Sequence, residues 1–108
     1  TRRHYSPRAA LRLFPDGNSA AFRNLEQRAL ETGEHAAAVL RTPIETRLDR
    51  VVLMPSDAAE YARALYAVLH ELDGQGYDAI LVEAPPDDPE WSAIRDRLTR
   101  ASSSPETT

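Results

Sequence analysis

Apolar side chains recur at three- and four-residue spacing from Ala58 to Leu72, at Ala58, Ala62, Leu65, Leu69 and Leu72, with Tyr61 and Val68 broadening the stripe. That spacing predicts an amphipathic helix running from Ser56 to Leu72. After Gly74-Gln75-Gly76 the pattern changes to the unbroken apolar run Ala79 to Val82, which suits a buried strand. Ser56 is placed to cap the helix, and Asp57 and Glu60 lie in its first turn, where the macrodipole favours negative charge. Small residues at Ala58, Ala59 and Ala62 would let it lie close to a sheet.

The same reading extends along the chain. Ala9 to Phe14 forms a strand ending at the turn Pro15-Asp16-Gly17-Asn18. Ser19 then caps a helix from Ala20 to about Thr32, with Phe22, Leu25, Ala29 and Leu30 inward and Arg23, Glu26, Gln27 and Glu31 in water. Gly33 stops it. Ala36 to Leu40 is a second strand, Arg41 to Asp49 a loop, and Arg50 to Met54 a third strand covered on both faces. A loop marked by Pro85, Pro86 and Pro89 leads to a last helix, Glu90 to Ala101, with Trp91, Ile94 and Leu98 inward. The domain therefore spans residues 9–101, behind an N-terminal arm of residues 1–8 and ahead of a tail, residues 102–108, that has nothing to bury and is expected to be disordered. Strands alternating with helices imply an α/β fold. The expectation is a three-layer α/β/α sandwich around a Rossmann-like, open, mainly parallel sheet of about four strands.

Composition narrows the class. A chain of 108 residues, 42% hydrophobic and 28% charged, is one ordinary globular domain. No apolar run is long enough for a membrane helix and no signal-peptide pattern opens the chain, so a cytoplasmic location is expected and no membrane partner. The absence of cysteine excludes disulfides and thiolate metal sites, and the absence of lysine excludes Schiff-base chemistry and a P-loop. Net charge is −4, which gives no footprint for nucleic acid, although three of the 13 arginines fall within the first eight residues. The arm is basic and the body acidic.

Candidate chemistry is sparse. His4, His35 and His70 lack metal-ligand spacing, no serine sits in a nucleophile elbow, and no glycine-rich phosphate loop follows the first strand. No catalytic residue and no metal site is assigned. Ser56, Glu83 and Asp87 would border the C-terminal edge of the sheet, where open parallel sheets bind ligands. The plainer reading of Asp87 or Asp88 is a cap for the last helix. Arg3, His4 and Tyr5 place a guanidinium, an imidazole and a phenol side by side on the arm, suited to closing over an anionic site on another domain.

That arm, Arg3-His4-Tyr5-Ser6-Pro7-Arg8-Ala9, resembles the Arg-His-Tyr-Ala-Pro-(Lys/Arg)-Ala linker of Sua5-type threonylcarbamoyl-AMP synthases, of the Sua5/YrdC/YciO family. Pro55-Ser56-Asp57, Tyr61-Ala62, Leu65-Tyr66, Leu69, Leu72-Asp73, Ile80, Glu83-Ala84-Pro85-Pro86, Ala93-Ile94, Asp96-Arg97-Leu98 and Arg100-Ala101 are similar to the C-terminal Sua5 domain of those enzymes, in order. The stretch between Phe14 and Asp49 matches only in its pattern of elements. Asp88-Pro89-Glu90-Trp91-Ser92 departs from a Gly-Leu-Gly-like segment of the family. The resemblance implies an accessory, non-catalytic domain of an enzyme that condenses ATP, threonine and bicarbonate to threonylcarbamoyl-AMP for the t6A modification of tRNA. It also implies a YrdC-like catalytic domain as partner, in cis or in trans, which would hold Mg-ATP and all catalytic residues, this domain needing no cofactor. Arg3, His4 and Tyr5 would then gate the partner's active site. The alternative is a free-standing domain binding a small molecule or anion near Ser56 and Glu83. A weaker third reading is an interaction module anchored by Trp91 or Tyr66.

Overall fold

The computed structural model describes residues 8–102. Four strands, β1 (Ala10–Phe14), β2 (Ala36–Leu40), β3 (Val51–Leu53) and β4 (Ala79–Glu83), form one sheet in the order β1-β4-β2-β3. Every neighbouring pair is parallel. Helix α1 (Ser19–Thr32) joins β1 to β2, α2 (Ala58–Gly74) joins β3 to β4, and a 3-10 turn (Pro89–Trp91) leads into α3 (Ser92–Ser102).

Side-chain alternation divides the core into two layers. Leu11, Ala37, Val39, Ile80 and Val82 face α2 and α3, meeting Tyr61, Leu65, Leu69, Leu72, Trp91, Ile94 and Leu98. Phe14, Ala36, Ala38, Leu40, Ala79 and Leu81 face α1, meeting Phe22 and Ala29. Alanine at three strand positions on this side leaves room for Phe14 and Phe22, whose rings pack 5.2 Å apart. The chain crosses one face in one direction and returns over the other, which gives both crossovers the same hand. The expected α/β/α sandwich with a four-stranded parallel sheet is thus present. Among the described residues no helix is long and apolar enough to cross a membrane.

Several local expectations need correction. Asn18, not Ser19, caps α1, its side chain accepting the Ala21 N–H, and Asp57, not Ser56, caps α2 by accepting from Glu60. Asx side chains serve here because the turn places them one residue ahead of each serine or alanine that opens the helix. β3 is an edge strand, with Val51 and Leu53 exposed, and contributes no residue to the core layer that faces α1. Of the three small residues, Ala58 packs against the core while Ala59 and Ala62 face solvent, and it is Ala64 rather than Ala62 that joins Ala58 on the inner side of α2. In α1, Leu30 is exposed and Glu26 is buried, the reverse of the periodic reading. Gly33 does end α1, with φ 75° and its N–H returning to the helix.

Candidate functional site

The C-terminal edge of the sheet is organised by Glu83, the last residue of the central strand β4 and fully buried. Oε1 accepts the backbone N–H of Arg41 at 2.6 Å and of Thr42 at 3.0 Å. Oε2 accepts the Thr42 hydroxyl at 2.7 Å and the Gly17 N–H at 3.0 Å. One carboxylate therefore ties together the turn after β1 and the loop after β2. Burial pushes its pKa upward, but the four donors together outweigh that and hold it below the usual carboxylate range. Gly17 has φ 71°, the left-handed conformation that aims its N–H at the carboxylate and favours glycine.

Arg41 closes the cluster. Its guanidinium lies 5.0 Å from the centre of the Trp91 ring, and NH1 donates to Asp16 at 2.8 Å. Tyr61 meets the same indole edge-on at 5.2 Å. The Tyr61 hydroxyl and Arg41 Nε are buried without a hydrogen-bond partner. Burial raises the Tyr61 pKa to about 12, with Arg41 opposing and Glu83 adding to the shift.

Ser56 and Asp87 lie exposed on loops at this same edge, and Asp87 approaches Arg95 at 3.8 Å. Asp88 stands at the start of the 3-10 turn, but its side chain makes no capping bond. A shallow groove of about 440 Å³ runs between the ends of β1 and β4, past Phe14, Pro15, Pro85 and Arg95. Trp91 is buried and Tyr66 exposed, so only the latter could anchor a partner. His35 and His70 are exposed, stacked on Tyr77 and Tyr66 respectively.

Two further polar arrangements escaped the sequence reading. Glu26, buried in α1, accepts from the Thr46 hydroxyl at 2.6 Å, from Arg47 N–H at 2.7 Å and from Arg23 at 2.8 Å, pinning the β2–β3 loop to the helix. Asp73, in the last turn of α2, accepts the N–H groups of Arg8 and Ala9, each at 2.9 Å, where the chain enters the body. The local signal for either was a carboxylate on an otherwise apolar helix face, and Asp73 also falls within the Leu72-Asp73 pair of the family resemblance. Arg3, His4 and Tyr5 lie outside the described residues, as does the tail beyond Ser102.

A family model described as the C-terminal domain of threonylcarbamoyl-AMP synthase matches residues 1–103. Among solved structures, P. abyssi Sua5 complexed with L-threonine is 25% identical, with a TM-score of 0.76 over 94% of this chain and 30% of that one. A variant of P. abyssi Sua5 with a consecutive His-Tyr pair replaced by alanine is 24% identical, with a TM-score of 0.75 over 90% of this chain and 28% of that one. The C-terminal Sua5 domain of a hypothetical Sua5 protein from Pyrococcus horikoshii is 18% identical, with a TM-score of 0.70 over 87% of this chain and 93% of that one. The chain thus spans less than a third of the P. abyssi chains. No curated protein matches it.

Proposed function

Since the chain belongs to the family of threonylcarbamoyl-AMP synthase C-terminal domains, we propose that it is the accessory, non-catalytic domain of such an enzyme, with Arg3, His4 and Tyr5 gating the active site of a YrdC-like catalytic domain. The observation that carries this reading is that the family match takes in the arm together with the body. The reaction itself, condensation of threonine, bicarbonate and ATP, belongs to the partner domain, which would hold Mg-ATP. The arm supplies a guanidinium for an anionic group and two flat side chains that can exclude water.

Support comes from three directions. The P. abyssi relative is recorded with L-threonine, and a His-Tyr pair was replaced in it, the same dipeptide as His4-Tyr5 here. The buried carboxylates of the body, Glu83 and Glu26, are engaged by donors of the chain itself, which suits scaffolding. The alternative of a free-standing anion-binding domain is weakened because Asp57 already caps the N-terminus of α2 beside Ser56.

The test is reconstitution. The domain alone should form no threonylcarbamoyl-AMP, while mixing it with a catalytic domain lacking the arm should restore synthesis. Activity in the isolated domain would refute the non-catalytic assignment.

A further inference from the structure

We infer that Asp73 is a positioning residue: its carboxylate fixes the Arg8–Ala9 backbone, the point at which the arm joins the body. The inference rests on the reading of the arm given above. A single oxygen, Oδ1, accepts the N–H groups of Arg8 and Ala9, each at 2.9 Å. The next N–H, of Ala10, donates to the Asp78 carbonyl at 2.9 Å. Three consecutive backbone donors are thereby tied down immediately after the Arg3-His4-Tyr5-Ser6-Pro7 motif.

The support beneath the carboxylate is rigid. Leu72 is fully buried next to it, and the Gly76 N–H donates to the Asp73 carbonyl at 3.2 Å as the helix ends. The location is a poor one for helix stability. A carboxylate in the last turn meets the negative end of the macrodipole, and that turn contains no basic residue to offset it. What the position provides is reach to the incoming backbone. Tyr5 is only three residues upstream of Arg8, and each residue of chain extends at most about 3.6 Å. The point of attachment therefore limits where the arm can act on a neighbouring domain.

A residue serving only the start of β1 would affect stability without altering turnover by a folded enzyme. Positioning predicts more. In the protein carrying both domains, Asp73→Ala should lower kcat for threonylcarbamoyl-AMP formation about tenfold, while Asp73→Asn, which keeps the acceptor oxygen, should restore most of it. If Asp73→Ala does not fold, Asp73→Glu, which retains the charge but displaces the oxygen, should show the loss instead. Amide hydrogen exchange should accelerate at Arg8 and Ala9 in the impaired variant but not at Leu81. Unaltered exchange, or accelerated exchange with unaltered kcat, overturns the inference. The triple variant Arg3→Ala, His4→Ala, Tyr5→Ala separates the two ideas: if it is inactive while the exchange-loosened Asp73 variant is fully active, the arm reading stands and the role of Asp73 falls.

Discussion

Glu83 accepts the backbone N–H of Arg41 at 2.6 Å, joining the end of the central strand to the loop that leaves its neighbour. Because the same carboxylate also holds Thr42 and Gly17, its removal takes the acceptor from several part-buried donors at once. Glu83→Ala should cost about 3 kcal/mol, since hydrogen bonds to a charged acceptor contribute about 1.5 to 3 kcal/mol each and water can reach some of the part-buried donors left behind. Urea unfolding of the purified domain measures this, and a loss under 1 kcal/mol would show that the loops hold themselves in place.

Acid should destabilise the fold. The Arg12 guanidinium holds the Glu34 carboxyl below the usual range against the opposing effect of burial. For Glu26 and Glu83 burial acts upward but is outweighed by hydrogen bonds, from Thr46, Arg47 and Arg23 in the first case and from Thr42, Arg41 and Gly17 in the second. Folded values below the unfolded value, about 4.3, mean that this stabilisation is fully present above that pH and is lost as pH falls through the folded values. Urea midpoints should therefore fall steadily below about pH 4.3 and less steeply in Glu83→Gln. A midpoint independent of pH down to 3 contradicts this.

Tyr61 presents the opposite case. Its hydroxyl is buried without a partner, so Tyr61→Phe should leave stability unchanged or raise it by about 1 kcal/mol. In the parent, with the phenol pushed up to about 12, stability is fully present below about pH 10 and is lost as pH rises towards 12. Absorbance titration should show one tyrosine ionising late, and that step should vanish in Tyr61→Phe. A loss above 1 kcal/mol in Tyr61→Phe would mean that the hydroxyl has an essential partner.

Gly33→Ala isolates a backbone effect. A Cβ at this position would meet nothing within 4 Å, but φ is 75°. The variant should lose about 1 kcal/mol through left-handed strain alone. An unchanged urea midpoint would indicate that the end of α1 relaxes.

Much of the architecture was legible in the sequence because burial follows period. The unbroken run Ala79 to Val82 suits a strand covered on both sides and is one, and Leu65, Leu69 and Leu72 fix the inner face of α2. The same logic failed where a neighbouring segment decides exposure. Val51-Val52-Leu53 has the composition of an interior strand yet lies at the edge, because strand order depends on long-range pairing that no local pattern encodes. Glu26 is buried because Thr46 and Arg47, some 20 residues away, supply its donors. Glu83 stood out in the sequence at the correct edge, but nothing local showed that its oxygens would face Arg41 and Thr42 rather than solvent. The arm, read from its charge and from its resemblance to a linker motif, lies outside the described residues.

The central claim is that this domain acts through its arm on a catalytic domain. The most direct measurement is the rate of threonylcarbamoyl-AMP formation by the two-domain protein bearing Arg3→Ala, His4→Ala and Tyr5→Ala together, with folding checked by circular dichroism. The account predicts a loss of at least tenfold with the fold intact; an undiminished rate would contradict it.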